Sequence, residues 1–509
     1  MERSDTGISA ALRGGGEWRR TALLALCATA VFSFAAHGFL FANEFFSHDS
    51  VSYFTYATGS TSFYIGNGRF LIPLYEMIKG DVAAPWLIGL LFVGWMSVTA
   101  VLVTRLLGIR SVGGVMLTCG LLCTNVALTL TGATYIYCLD EYAFALCAAA
   151  AAAWCFARGR WWLLAGLGAL TASLAVYQPY FTVAAVLCLL AAIRRLTNRE
   201  DAGRVLRLGL RDLGLLAAGF LLYYGLWSVL CAAAGIAKSR VEESALGSGL
   251  GELLRLLVSA NVEYVRGLFD PSGVLGGFLP LVHAVLLVLL LGRLATLLTD
   301  RELAVDNKIL LLILVCLLPT ALNSAAILMA GNDTQLMAFG GELLYLLPVL
   351  GIEPGTRLRW VRPARIAAVV LLCCVLWQHV VYANQVYMKK DLEKNATIAL
   401  ATRVLDRIET AEGYVPGETP VAFAGRLDRN DYWNRGREAF ADLDRTVGLW
   451  SDYAATYNLG RYLTDYLNAP LLWDTGTDVA QWPEVQAMPS FPAAGSVALV
   501  DGTLVVKLS

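Results

Sequence analysis

The sequence has little charge. Of its 509 residues, 16% are charged and 57% are hydrophobic, and the mean hydropathy is +0.59. Soluble domains carry about a quarter charged residues, so an ordinary soluble protein is excluded. Several windows of about 20 residues hold almost no charge, which is the length that spans a bilayer core. Apolar runs such as "LLAAGFLLYYGLWSVLCAAAG" do not alternate between apolar and polar residues, which excludes a transmembrane β-barrel. We therefore predict an all-α polytopic membrane protein.

Motifs for metals and nucleotides are also missing. Eleven cysteines are present, but most lie inside apolar runs, and none forms a CxxC or Cys/His pair with zinc spacing. Neither GxxxxGK[ST] nor GxGxxG occurs, although an enzyme that used a cytosolic nucleotide would be expected to carry one. We predict no cofactor, no obligatory metal ion and no nucleic-acid partner.

The apolar pattern fits about eleven transmembrane helices. Their predicted limits are 21–42, 85–107, 112–131, 141–157, 161–178, 180–196, 213–236, 276–298, 309–330, 336–352 and 365–386. With the N-terminus in the cytoplasm, one set of loops receives most of the arginines, as the positive-inside rule requires. The loop at 43–84 and everything after about residue 387 are then extracytoplasmic. The first apolar segment has about 20 residues and no small-x-small site, so we expect it to remain as a span.

Residues 387–509 differ in character from the spans. The chain there is charged and then helical in period, "PVAFAG" is β-like, and "GSVALVDGTLVVKLS" indicates a hairpin around Asp501-Gly502. We expect a transmembrane domain at 1–386 and a small extracytoplasmic α/β domain at 387–509. The loop at 237–275 is amphipathic, and we expect it to lie along the membrane interface.

Polar residues collect at the predicted outer ends of the spans. Ionisable groups at membrane depth are costly and usually face a cavity or a partner. Their clustering on one side predicts a water-accessible acidic pocket there. The candidates are Glu44, His48, Asp49 and Arg69 after the first span, Asp140 and Glu141 opening the fourth, Tyr177 and Gln178 ending the fifth, and Asp333 after the ninth; Glu342 lies within the tenth.

Several candidates also have an ordinary structural alternative. Asp49 and Glu44 could be caps in a surface loop, and Arg69 could be an interfacial anchor. Asp140 and Glu141 could simply favour the positive end of a helix dipole.

A carboxylate and an arginine at a membrane edge suit glycosyl transfer from a lipid-phosphate sugar. A carboxylate within hydrogen-bond reach would accept the proton of the acceptor hydroxyl, with Asp49 as the first candidate base and Glu44 as the second. Arg69 would hold the phosphate, because its planar fork makes two contacts and stays charged. The remaining residues are predicted to bind substrate: His48, Asp140, Glu141, Tyr177, Gln178 and Asp333.

The order of these features resembles the bacterial type II glucosyl transferase family, within the GT-C class of polytopic transferases. The resemblance rests on "HDSVSYF…IGNGRFLIPLYEMI", "ASLAVYQPYFTVAAVLCL", "ANQVYMKKDLEKNATIALATRVLDRIE" and the ending "GSVALVDGTLVVKLS". It implies a GT-C-like fold and a donor such as polyprenyl-phosphate-glucose used on the extracytoplasmic face. The sequence leaves the acceptor open between a lipid-linked O-unit, a teichoic acid and another wall glycan. The family often shows two adjacent acids after the first span. This chain has His48-Asp49, which leaves Asp49 as the better match to the catalytic acid.

Three other functions remain alternatives. A transporter or lipid flippase would carry midplane polar groups and often internal repeats, and no clear repeat is present. An O-antigen polymerase or ligase would place arginine and histidine in a large late outer loop. The loop at 237–275 holds Arg240, Arg255 and Arg266 but no histidine. In a scaffold protein the acidic cluster would be incidental.

Overall fold

The computed structural model describes residues 5–45, 61–80, 83–239, 250–271, 276–329, 334–426, 459–474 and 476–509. Most of these residues are helical. The α-helices are α1 Asp5–Ala42, α2 Thr61–Gly66, α3 Ile72–Lys79, α4 Pro85–Leu107, α5 Val112–Cys123, α6 Val126–Thr134, α7 Leu139–Arg158, α8 Trp162–Leu174, α9 Phe181–Thr197, α10 Ala202–Ala234, α11 Leu250–Leu268, α12 Leu279–Thr299, α13 Val305–Leu322, α14 Ser324–Leu328, α15 Leu346–Ile352, α16 Arg362–Glu409 and α17 Pro483–Ala487.

The helices confirm a multi-pass membrane protein. Within the described ranges, ten stretches are long and apolar enough to cross a membrane. The predicted span at 161–178 corresponds to α8, which has only 13 residues, fewer than the roughly 20 that cross a bilayer core. Helix α11 forms within the amphipathic loop; its placement along the interface stays a prediction.

Two spans are not continuous α-helices. The third breaks between α5 and α6, where the Asn125 side chain caps α6 by accepting a hydrogen bond from Ala127 N at 2.9 Å. The span predicted at 336–352 begins as a 3₁₀-helix over Gln335–Tyr345 and continues as α15. Asn125 Nδ2 donates to Phe339 O at 3.1 Å, so the two irregular segments face each other. Such backbone is tolerated at membrane depth only where protein buries it.

Helix α7 lies at the centre of the bundle. It carries six consecutive alanines, 148–153, and packs closely against α4 and α8. Small residues allow helices to approach closely in membranes. The first turn of α7, which carries Asp140 and Glu141, is buried. It lies at the end of the bundle where α1 and α8 end and α4 starts. This end is called the site end below.

The C-terminal part contains a four-stranded sheet of order β2-β1-β4-β3, made of β1 Pro420–Ala424, β2 Leu472–Trp473, β3 Val497–Val500 and β4 Thr503–Lys507. Strand β1 runs parallel to β2 and β4. Strands β3 and β4 form the predicted hairpin, and Asp501 and Gly502 both have the positive φ that its turn requires.

The last span and the sheet are joined by one helix. The sequence predicts that the last span ends at residue 386, but α16 continues to Glu409, and Leu400, Val404 and Ile408 pack against sheet residues. The domain boundary at 386/387 stays a prediction.

Candidate functional site

The turn that carries Arg69 packs against α10 and is hydrogen-bonded to it. Gly68 has φ +73, and a Cβ atom there would lie 2.1 Å from Tyr223 Oη, so the turn requires glycine. Gln178 Nε2 donates to Asn67 O and to Tyr223 Oη, each at 2.8 Å. Trp227 Nε1 donates to Ile65 O at 2.7 Å. These contacts fix the backbone that presents Arg69, and they give Gln178 a defined role in holding it.

Arg69 lies on two stacked tyrosines. Its Nη1 donates to Tyr142 Oη at 3.1 Å, and its guanidinium carbon is 5.4 Å from the centre of the Tyr177 ring. The Tyr142 and Tyr177 rings stack with their centroids 4.1 Å apart. Among the described residues no carboxylate pairs with Arg69, and its Nε has no hydrogen-bond partner there. The guanidinium therefore keeps donors that a further anion can use.

Lys79, at the last position of α3, is held by the first turn of α7. Its Nζ lies 3.2 Å from Asp140 Oδ1, 3.0 Å from Glu141 Oε1 and 3.0 Å from Tyr137 O. The Lys79 side chain is 4% exposed and both carboxylates are fully buried. Burial alone would lower the pKa of Lys79, but the carboxylates of Glu141 and Asp140 outweigh it and hold the pKa above its usual range.

Replacing Lys79 with methionine is expected to destabilise the protein by about 3–5 kcal/mol, because it leaves two buried carboxylates without their cation. Thermal unfolding of the purified protein in detergent measures the effect. Lys238→Met is the matched control, since Lys238 donates to Ser228 Oγ, lies over the Tyr224 ring and pairs with no carboxylate among the described residues. Adding Asp140→Asn and Glu141→Gln to Lys79→Met should restore much of the loss. Equal destabilisation by the two lysine variants would contradict this role for Lys79.

Arg69 and Lys79 with their partners Asp140, Glu141, Tyr142, Tyr177 and Gln178 form one cluster. The other predicted residues lie away from this cluster or outside the described residues. Glu44 is exposed just after α1. Burial and the nearby Glu44 carboxylate raise the pKa of Tyr466, which places Glu44 beside the C-terminal region. His48, Asp49 and Asp333 lie outside the described residues.

Glu342 belongs to a separate buried network. Its Oε1 accepts a hydrogen bond from Val126 N at 3.2 Å, beside the break between α5 and α6. Its Oε2 lies 3.8 Å from His379 Nε2. His283 hydrogen-bonds to Tyr345 Oη at 2.6 Å. Glu342 therefore supports the two irregular segments and their neighbours.

Sequence reasoning misses two residues of the cluster. In the sequence Lys79 is only one of several basic residues in the loops that we predict to be extracytoplasmic, and Tyr142 does not stand out. Two adjacent acids opening a buried helix require a cation, and this requirement is the available signal for Lys79. Tyr142 follows those acids directly, but nothing local distinguishes it from an interfacial tyrosine.

In the described ranges no group of three histidine, cysteine or acidic side chains could hold a metal ion. The family model described as glucosyl transferase GtrII matches residues 38–346, which include every predicted site residue. No curated protein and no solved structure matches the chain significantly. Because the family model covers more than half of the sequence, the chain belongs to the GtrII glucosyl transferase family.

Proposed function

We propose that the protein moves glucose from a polyprenyl-phosphate donor to a cell-envelope glycan at the extracytoplasmic face. Membership of the family supports glucosyl transfer. The donor class is supported by the site itself, which lies at the edge of a helical bundle that spans the membrane. There a lipid tail can remain in the bilayer while the phosphate reaches Arg69.

The observation that carries the proposal is the contrast between the two cations, Lys79 and Arg69. Lys79 is neutralised by Asp140 and Glu141, at 3.2 and 3.0 Å. Arg69 rests on Tyr142 and Tyr177 and has no carboxylate partner within the described part of the chain. Arginine binds phosphate through two parallel hydrogen bonds, so Arg69 is the cation suited to the leaving group.

The transfer requires one bond to break and one to form. The acceptor hydroxyl oxygen bonds to C1 of the sugar, while the bond from C1 to the phosphate oxygen breaks. The hydroxyl proton passes to a carboxylate, for which Asp49 is our first candidate and Glu44 the second. The polyprenyl phosphate leaves with the bonding electrons, and the charge that develops on its oxygen is stabilised by Arg69.

The remaining residues are proposed to shape the site. Tyr177 supports the guanidinium of Arg69, and Gln178 fixes the turn that carries it. Asp140 and Glu141 act through Lys79, since both carboxylates are fully buried and each pairs with that cation. Asp140 also hydrogen-bonds to Tyr75. His48 and Asp333 are proposed to contact the sugar or the acceptor.

The donor assignment is tested by supplying the purified protein with radiolabelled polyprenyl-phosphate-glucose or polyprenyl-phosphate-mannose, each with cell-envelope extract. We expect label from the glucose donor to enter glycan at least about tenfold faster, the scale of discrimination that one sugar hydroxyl allows. Arg266→Gln is the control variant and should transfer normally, because Arg266 is exposed at the end of α11.

The same assay separates the alternatives. A flippase would move the donor across the bilayer without forming a covalent bond to glycan. A polymerase or ligase would move whole lipid-linked oligosaccharides and would ignore a monosaccharide donor. Failure of both labelled donors to reach glycan would refute the proposed reaction.

A further inference from the structure

Helix α11 packs on the site end of the bundle. Its Ala260 O accepts a hydrogen bond from Asn323 Nδ2 at 2.8 Å, at the point where α13 gives way to α14. The start of α14 is in turn bound to the start of α9, where the hydroxyls of Ser324 and Thr182 lie 2.8 Å apart. Gln178, just before α9, holds the turn of the candidate site. The contacts of α11 with α13 and α14 therefore lie at the site end.

The second half of α11 contacts two further elements. Tyr264 Oη donates to Gly341 O at 2.7 Å, in the 3₁₀-helical segment. His283, in the second turn of α12, hydrogen-bonds to Leu268 O. Contacts with four elements thus follow one another within about 12 Å along the helix axis, the length of eight residues. A helix parallel to the spans would follow one or two of them in depth, so α11 crosses the ends of the spans.

The surface of α11 is divided into three faces. The face towards the bundle contains Leu256 and Ala260, which are buried, and Tyr264. The second face is apolar and exposed, and it consists of Leu254, Val258, Val262 and Val265. Their spacing of three and four residues places these side chains on one side of a helix. Val258 and Val262 are 63% and 59% exposed, so the bundle leaves this face uncovered.

The third face is a charged edge. It consists of the exposed residues Glu252, Arg255, Glu263 and Arg266. Arg255 pairs with Glu252 through two hydrogen bonds, of 3.0 Å from Nε and 2.6 Å from Nη2. At 100° per residue, the apolar face lies between the bundle-facing side and this edge. A helix placed where a bundle meets a membrane surface requires this order: protein, acyl chains, water.

The neighbouring spans continue the apolar surface of α11. Leu281, in the first turn of α12, is 68% exposed, and Leu317, near the end of α13, is 49% exposed. Such side chains on the spans of a multi-pass protein face lipid. We propose that α11 lies flat in the membrane surface at the site end and binds the phospholipid leaflet there. Its apolar face then lies among the acyl chains, and its charged edge lies in water.

The proposal is tested by photocrosslinking to lipid. A benzophenone amino acid replaces one residue of the full chain, the protein is reconstituted in nanodiscs of phosphatidylcholine and phosphatidylglycerol, and adducts are identified by mass spectrometry. Val262 and Glu263 are the matched pair, because they are adjacent in sequence but lie on the apolar face and the charged edge. We expect at least about tenfold more phospholipid adduct from position 262, the factor that burying one large apolar side chain represents. Leu317, on a span, is the positive control.

A second pair of positions tests the flat orientation. Leu254 and Val265 lie on the apolar face about 16 Å apart along the axis. Tandem mass spectrometry should locate both adducts at the same depth of the acyl chain. Adducts at clearly different depths would overturn the flat orientation. Equal lipid yields at 262 and 263, crosslinks from 262 to a second copy of the chain, or no adduct at 262 when position 317 gives one would overturn the lipid assignment.

Discussion

Replacing Arg69 with glutamine is expected to lower kcat/KM for sugar transfer by about 10²–10³-fold, the cost of removing one preorganised donor from a developing oxyanion. Lys79 cannot compensate, because Asp140 and Glu141 already hold it. The loss should fall on kcat as well as on donor KM, since phosphate charge grows in the transition state. Initial rates with purified protein and polyprenyl-phosphate-glucose measure both constants.

Lysine at position 69 should give an intermediate result. It keeps the positive charge but loses the planar fork and the flat contact with the Tyr177 ring. Arg266→Gln again serves as the charge-matched control. Thermal unfolding should show little change for Arg69→Gln, because no described carboxylate depends on this guanidinium. A rate within threefold of wild type, or a loss of activity that merely follows a loss of stability, would remove Arg69 from the phosphate site.

The features that the sequence predicts correctly depend on local patterns. Spans follow from windows of apolar residues, and most of the predicted spans appear as helices. The β3–β4 hairpin follows from Asp501-Gly502, whose positive φ values suit a two-residue turn. The helical period after residue 391 is also visible in the sequence, although its continuity with the last span in α16 is not. Each of these depends on neighbours within a few residues.

The features that sequence reasoning misses depend on distant partners. Lys79 pairs with Asp140 and Glu141 across 61 and 62 residues, and the sequence alone does not distinguish it from the other basic residues of the predicted outer loops. The break at Asn125 is stabilised by Phe339 and Glu342, more than 200 residues away. An apolar window cannot reveal such a break, because both halves remain apolar. The sequence therefore locates the site at one end of the bundle, but it does not show which side chains pair with each other there.

The ion pairs of Lys79 with Asp140 and Glu141 limit which carboxylate can act as the general base. Asp140 and Glu141 are predicted from the sequence to contact substrate, but their carboxylates are directed at Lys79 in a fully buried turn. A base must reach the acceptor hydroxyl from the aqueous side. The two acids that we proposed as bases are Asp49 and Glu44, and the charge of Glu44 contributes to raising the pKa of Tyr466. Asp49 is 20 residues before Arg69 on the same connecting segment, which favours it.

Asp49→Asn is accordingly expected to reduce kcat by roughly a hundredfold to ten-thousandfold, the contribution of a positioned general base. The amide keeps the size of the carboxyl group but cannot accept the hydroxyl proton. Donor KM should change little, because the base acts on the acceptor in the transition state. Membrane abundance, measured by quantitative blotting, should stay at the wild-type level.

Glu44→Gln decides between the two candidate bases. If Asp49 is the base, Glu44→Gln should slow transfer far less than Asp49→Asn, because the Glu44 carboxylate is near enough to Tyr466 of the C-terminal region to raise the pKa of that residue. Glu263→Gln, which removes an exposed carboxylate from α11, controls for the lost charge. The reverse order of effects would transfer the role to Glu44 and place the acceptor between the bundle and the C-terminal sheet. Normal rates in both variants would mean that the acceptor loses its proton to a group outside the first loop.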